Sequence, residues 1–389
     1  MSHDLTDHDT PASRPTVRRH SALGGRALAR LGLGWVAVIA LTFAGPLPAA
    51  ELGTPMLLGA LGLIIAVITV CAAGVVVQAE HLSRLLGDPY GTLVLTLSIV
   101  VIETMLITAV MLGPGDYTEI ARDSITAAGM ILLNLLLGLC LLVAGLKNGP
   151  MGVNRRAAGM YLALFVVLVA VVFALPTLTG PDGPDGSVGP VGTMLAIAVT
   201  LGLYGLFLQQ QMGPRAGLFR EPGAGGGGSE PIGTLLRRHR RVLLLRTVVL
   251  LGTVTPIVML SDHMAGLLDE GMLRAGAPAA LAGVLIAAIV LTPELFTAVR
   301  AARSAELQRV MNLGLGALAS TLGGTVPLVL ILASLTGQRV VFGETPLMLV
   351  MWAASLALTA VTFSTGRMRW GNGVAHLALF GVFVAMLFA

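Results

Sequence analysis

Glu103 stands at the centre of residues 91–113, GTLVLTLSIVVIETMLITAVMLG, and Glu294 stands within residues 278–299, in LTPELFTAV. Each stretch is apolar and long enough to cross a bilayer as a helix, which takes about 20 residues. An acid at that depth must face protein or a water-filled cavity, so each is a candidate functional group. Together the two offer an anionic, oxygen-rich site of the kind hard cations take, whereas no cluster of thiolates or imidazoles offers itself to a softer metal. Emptied of a cation, two such acids are desolvated and repel one another, which favours uptake of protons. Cation and proton then compete for the same oxygens, and the two acids are expected to titrate as a coupled pair.

Other polar groups could complete such a site. Asn134 lies in MILLNLLLGL, where its amide needs partners that lipid cannot supply. Asn312, Gly316 and Ser320 recur every four residues, followed by Gly323, Gly324 and Thr325. Small residues at that spacing permit close helix approach and could expose carbonyls to an ion, so Ser320 and Thr325 are candidate ligands, although packing alone would also account for them. Thr96, Val100 and Ile107 share the Glu103 side of their helix. Pro293 removes one helical hydrogen bond beside Glu294 and frees a carbonyl, and Pro327 is expected to kink its own span. Glu80 with His81, and Asp262 with His263, fall near the exits of preceding spans and are candidate vestibule residues on opposite faces. Glu119, Asp123 and Glu306 are expected on loop surfaces.

These groups have to be carried by membrane helices. Of 389 residues, 55% are hydrophobic and 11% charged, against about 25% charged in a soluble domain; mean hydropathy is +0.88. A soluble fold of this composition would expose large apolar patches, so an all-alpha polytopic membrane protein is expected. Eleven spans are predicted, at about 31–49, 56–79, 91–113, 125–146, 159–178, 191–210, 242–261, 278–299, 310–336, 345–363 and 372–388. If the N-terminus is cytoplasmic, all of the 24 Lys and Arg except Arg122, Arg274 and Arg339 fall on the cytoplasmic side, which leaves the C-terminus external. The net charge of +4 is therefore topological and does not point to nucleic acid. The arginines ahead of the first span suit a retained first helix better than a cleaved signal. Cys71 and Cys140, both inside apolar spans, read as small buried residues. Asp182 and Asp185 lack the ligand series of a calcium loop.

The organisation predicted is a tail at 1–30, a leading helix and loop at 31–55, a five-helix repeat at 56–210, a cytoplasmic linker at 211–241 and a second five-helix repeat at 242–389. The linker contains AGGGGSEP, which reads as flexible, and RRHRR, which suits an anionic lipid surface. ETMLITAV from Glu103 and ELFTAV from Glu294 echo one another at the ends of their spans. Five is an odd number, so the halves enter the bilayer from opposite faces, the inverted arrangement that gives transporters two exchangeable conformations around one midplane site.

GDPYGTLVLTLSIVVIE (residues 87–103) and TPELFTAVRAARSAELQRVMNLGLGALAST (residues 292–321) resemble the two repeats of the cation/calcium exchanger superfamily, in its calcium/cation:proton antiporter branch. The resemblance implies that Glu103 and Glu294 are the acids of cation and proton exchange. It places Asn134 at the asparagine of the first repeat, Ser320 where the second repeat often has glutamine, and Pro327 at a repeat proline. Calcium-selective members commonly carry glycine, asparagine and alanine before each acid. This chain has Ile99-Val100-Val101 and Val290-Leu291-Thr292, and Leu133 where a serine is usual. The expected function is export of cytoplasmic calcium against protons across the inner membrane, with sodium or potassium exchange as the alternative and a channel less favoured. No enzyme motif such as HExxH and no nucleotide-binding loop is present, so no cofactor is expected. The partners expected are the cation, protons and membrane lipids; a homo-oligomer remains open.

Overall fold

With no water in a bilayer to satisfy backbone amides, a spanning segment must close its hydrogen bonds within itself. The computed structural model describes residues 24–388 except 46, 87–89, 114–116, 180–188, 214 and 220–231. The tail up to residue 23, the loop with Asp182 and Asp185, and the glycine-rich part of the linker lie outside the described residues. Among those residues the apolar runs form eleven helices: α1 (Gly25–Ala44), α2 (Thr54–Leu86), α3 (Tyr90–Met111), α4 (Ile120–Asn148), α5 (Arg155–Thr179), α6 (Pro190–Met212), α7 (Ile232–Ala275), α8 (Ala280–Arg303), α9 (Leu307–Thr336), α10 (Pro346–Ser364) and α11 (Trp370–Met386). Ten are long and apolar enough to cross a membrane and α11 is a shorter apolar helix, so the protein is an all-alpha polytopic membrane protein. Among the described residues there is no strand, only an isolated bridge between Met151 and Met368.

Local chemistry sets several helix ends. The Asn154 side chain accepts from the amides of Arg156 and Ala157 and starts α5, and Thr345 does the same for α10 through Met348. Gly149 and Gly337, at φ 76° and 71°, end α4 and α9 in a conformation that other residues rarely adopt. Two helices run past their predicted ends. Leu82 and Leu86 keep α2 packed to Leu86, and Met264, Leu267 and Leu268 carry α7 on to Ala275. Glu80, His81, Asp262 and His263 therefore lie within helices and not beside turns. The RRHRR cluster likewise lies inside α7 rather than in the linker.

Helices α3, α4, α8 and α9 pack on one another at the centre. Helices α2 and α7 lie side by side along one flank with α1 across them, and α5, α6, α10 and α11 cover the other. Lipid tails are as apolar as side chains, so such packing depends on close contact rather than on expulsion of water. Gly129 of α4 lies against the indole of Trp352, leaving no room for a Cβ, and a Cβ on Gly283 of α8 would collide with the backbone of Asp123 and Ser124 in the same way.

One end of the helix bundle holds a buried ionic cluster. Glu344, in the connection before α10, accepts a hydrogen bond from the Thr126 hydroxyl and lies 3.9 Å from Arg122. Arg122 also pairs with Asp123 at 2.9 Å and Glu119 at 2.8 Å and donates to the Gly343 carbonyl. Glu119 is on the surface as expected, but the Asp123 side chain is only 12% exposed because this connection folds back over the start of α4.

Two tests follow from this packing. Gly129→Val must push α4 and α10 apart, and overpacking of this kind costs about 1–3 kcal/mol, so the thermal midpoint of the purified protein in detergent should fall. Burial pushes the Glu344 carboxyl up from 4.5 to about 7, against the opposing Thr126 hydrogen bond and Arg122. Folding then favours the protonated acid, so its contribution to stability is full below pH 4.5 and is lost as pH rises through about 7. Glu344→Gln should flatten that decline and raise the midpoint above neutrality; an unchanged pH profile of thermal unfolding would count against it.

Candidate functional site

Glu103 sits halfway along α3 and is 3% exposed. Its carboxylate accepts from the Thr321 hydroxyl, at 2.9 and 3.1 Å to its two oxygens, and from Thr325 at 2.6 Å. Both threonines belong to a π-helical turn, Thr321–Thr325, inside α9. A π turn adds a residue to the winding and redirects the side chains it carries, and such turns recur at functional sites. Close approach is possible because the turn includes Gly323 and Gly324. A Cβ on the first would collide with the Tyr204 ring, and one on the second would press on Val100, one turn before Glu103.

Glu294, on α8, is 4% exposed, and neither carboxylate oxygen has a hydrogen-bond partner. The neighbouring threonines offer none: Thr292 donates to the Ala288 carbonyl and Thr297 to that of Pro293, on their own helix. Glu103 and Glu80 are both within electrostatic reach of Glu294. The α3 and α8 helices are in contact, so the two acids share one region of the central packing. Among the described residues neither acid has an ion pair, and no group of three or more His, Cys, Asp and Glu is placed to hold a metal ion. Two unneutralised carboxylates in so apolar a setting are a demand for a proton or a cation.

The structure brings Thr325 to Glu103 and adds Thr321, which the sequence reading passed over. The four-residue step from Thr321 to Thr325, facing an acid, was the available signal. It does not bring Asn134 or Ser320 to the acids. Asn134 sits in another π turn, Ile131–Leu136 of α4, but its amide donates to Ser355 at 2.8 Å and its oxygen lies 3.3 Å from His376 Nδ1. Those partners are on α10 and α11, and they satisfy the amide there. The Ser320 hydroxyl donates to the Ala317 carbonyl, within its own helix. Asn312 is likewise engaged elsewhere, donating to the Phe219 carbonyl behind α6. Cys71 and Cys140 are buried and free.

Glu80 borders a cavity of about 400 Å³ that also touches Pro293 and Thr297, the residues flanking Glu294. Glu80 is 3.4 Å from Arg84. His81 is half-buried beside it. In α7, Asp262 is exposed and His263 turns its ring to the Met259 carbonyl of its own helix.

Residues 56–212 and 245–389 match the family model of the sodium/calcium exchanger protein. The sodium-potassium/proton antiporter ChaA of Escherichia coli (strain K12) is 30% identical over 319 residues, 82% of this chain and 86% of that one. The fold is similar to that of native YfkE, with a TM-score of 0.67 at 16% identity, covering 93% of this chain and 98% of the other. It is also similar to the H+/Ca2+ exchanger CAX, with a TM-score of 0.67 at 16% identity, covering 92% and 87%. The two matched stretches contain both buried acids and the threonines that meet the first of them, and the chain belongs to the sodium/calcium exchanger protein family.

Proposed function

We propose that the protein is a secondary active cation:proton antiporter of the cytoplasmic membrane, in which Glu103 and Glu294 bind cation and protons in turn. The observation that carries this reading is a pair of buried acids with no ion-pair partner, one met by two hydroxyls and the other by no donor. A proton neutralises such a carboxylate, and so does a cation; the two cannot occupy it together. A hydroxyl both donates and accepts, so Thr321 and Thr325 hold the empty Glu103 by donation and can turn a lone pair to an arriving cation. Two inverted five-helix repeats, at 56–210 and 242–389, would present this site to either face in turn, and the excess of Arg and Lys at one end makes that end cytoplasmic.

The cargo this donor set suits first is monovalent, sodium or potassium. Calcium takes 6–8 oxygens, and here even both glutamates bidentate with both hydroxyls turned supply only the minimum of six. The name of the Escherichia coli relative supports the same choice. Calcium, the cargo expected from the sequence, is the second reading. It is favoured by one feature, two full negative charges that match one divalent ion. A channel is less favoured, because both acids are buried to 4% exposure or less, where a conducting pore would keep its charged groups in water.

In proteoliposomes with an imposed pH gradient, wild-type protein should move protons when sodium or potassium is added, and Glu103→Gln and Glu294→Gln should each abolish that movement while folding normally in detergent. Normal exchange by either variant removes that residue from the mechanism. Thr325→Val and Thr321→Val should raise the half-saturating cation concentration by about 10-fold, the lower end of the loss seen when a group orienting a cation ligand is removed. An unchanged concentration dependence would mean that the two hydroxyls only pack.

A further inference from the structure

The cavity of about 400 Å³ is walled by one face of α2, from Ala73 through Glu80 to Arg84, and one face of α8, from Pro293 through Thr297 to Arg300. It runs from the basic end of the protein inward to the turn that carries Glu294. Its lining is unfavourable to a cation, with Arg30, Arg84, Arg300 and Arg309 set against only two acids among the described lining residues, Glu80 and Glu306. Glu306 precedes α9, 38% exposed, and is tied to Arg309 at 2.9 Å. Glu80 is the more buried acid, 29% exposed, and lies one helical turn further in than Arg84. Their contact is long, at 3.4 Å, and Arg84 itself is 68% exposed, so the pair is readily exchanged with solvent ions. At the inner end Glu294 has no partner of its own, and Glu80 is within its electrostatic reach.

We propose that Glu80 is a loading residue, a carboxylate at which cations entering from the basic face pause before passing to Glu294, with Arg84 as its exchangeable counter-ion. This rests on the exchange reading above and adds to it a waypoint outside the paired acids. An entering cation displaces Arg84 from Glu80, which offsets the repulsion of the arginine-lined mouth. Once the cation moves on to Glu294, Arg84 returns to the vacated carboxylate. The role is sided, because Glu80 borders the path from one face only.

The test compares cation dependence at the two faces in proteoliposomes sorted by orientation, using sodium and potassium as probes. Glu80→Gln should raise the half-saturating concentration at the basic face by about 10-fold, as for loss of one group that assists cation binding. The maximal rate and the half-saturation at the opposite face should stay as in wild type, and the latter also reports intact folding. Glu80→Asp should restore much of the affinity, and Arg84→Gln, which frees Glu80, should lower the half-saturating concentration at the basic face. An unchanged value in Glu80→Gln, an equal rise at both faces, or a fall in maximal rate alone would overturn the loading role. If wild-type protein shows no proton-coupled cation flux, the exchange reading itself fails. If wild type couples, Glu294→Gln does not, and Glu80→Gln behaves as wild type, only the loading role is lost.

Discussion

A carboxylate surrounded by apolar side chains persists only if a proton, a cation or a hydrogen-bond donor shares its charge. The centre of this protein is built around two such groups with unequal support. Glu103 receives two hydroxyls from the π turn of α9, while Glu294 receives none. The turn can reach Glu103 because Gly323 and Gly324 let Tyr204 and Val100 close on it, so α3, α6 and α9 are held together around one carboxylate. On the other side, α8 brings Glu294 in beside Pro293, and its start rests directly on the backbone of α4 at Asp123 and Ser124. One acid is therefore braced by a neighbouring helix and the other is left bare.

The two ends of the molecule differ as much as the two acids. At the basic end, arginines surround a cavity that stops at the turn holding Glu294. At the other end, Glu344, Arg122 and Asp123 form a buried ionic cluster that ties the start of α4 to the connection before α10. Between these ends a second buried polar chain, from Ser355 through Asn134 and His376 to Thr362, joins α4 to α10 and α11. Polar groups inside a membrane protein need such partners, and here they lock the covering helices to the centre.

Much of this was legible in the sequence for a simple reason: in a bilayer the price of an exposed amide or charge is high enough to dominate every local preference. Apolar runs of the right length became helices, and the two lone acids turned out to be buried, unpaired and in neighbouring helices. Where competing partners existed, the sequence was less informative. Asn134 had an amide to satisfy, but nothing in its own span showed that Ser355 and His376, more than 200 residues away along the chain, would satisfy it. Thr321 was hidden because a threonine in an apolar helix usually bonds back to its own helix, as Thr292 and Thr297 do here. Only the π turn redirects it. Helix ends were missed in α2 and α7 because Glu80 and Asp262 look like solvent-seeking residues, whereas the apolar residues that follow keep both helices packed. Glu344 and Asp123 were unreadable as buried groups, since the path of the connection that covers them is decided by tertiary contacts, among them the burial of its own Val341 and Phe342.

The central claim is that one pair of carboxylates holds either protons or cation. Its most direct test is proton release on binding: sodium or potassium is added to purified protein in weakly buffered detergent solution while pH is recorded. The account predicts that cation binding releases protons in proportion to sites filled, and that the release vanishes when Glu103 and Glu294 are both replaced by glutamine. Cation binding to the wild-type protein with no accompanying change in proton concentration, over a range of starting pH, would contradict it.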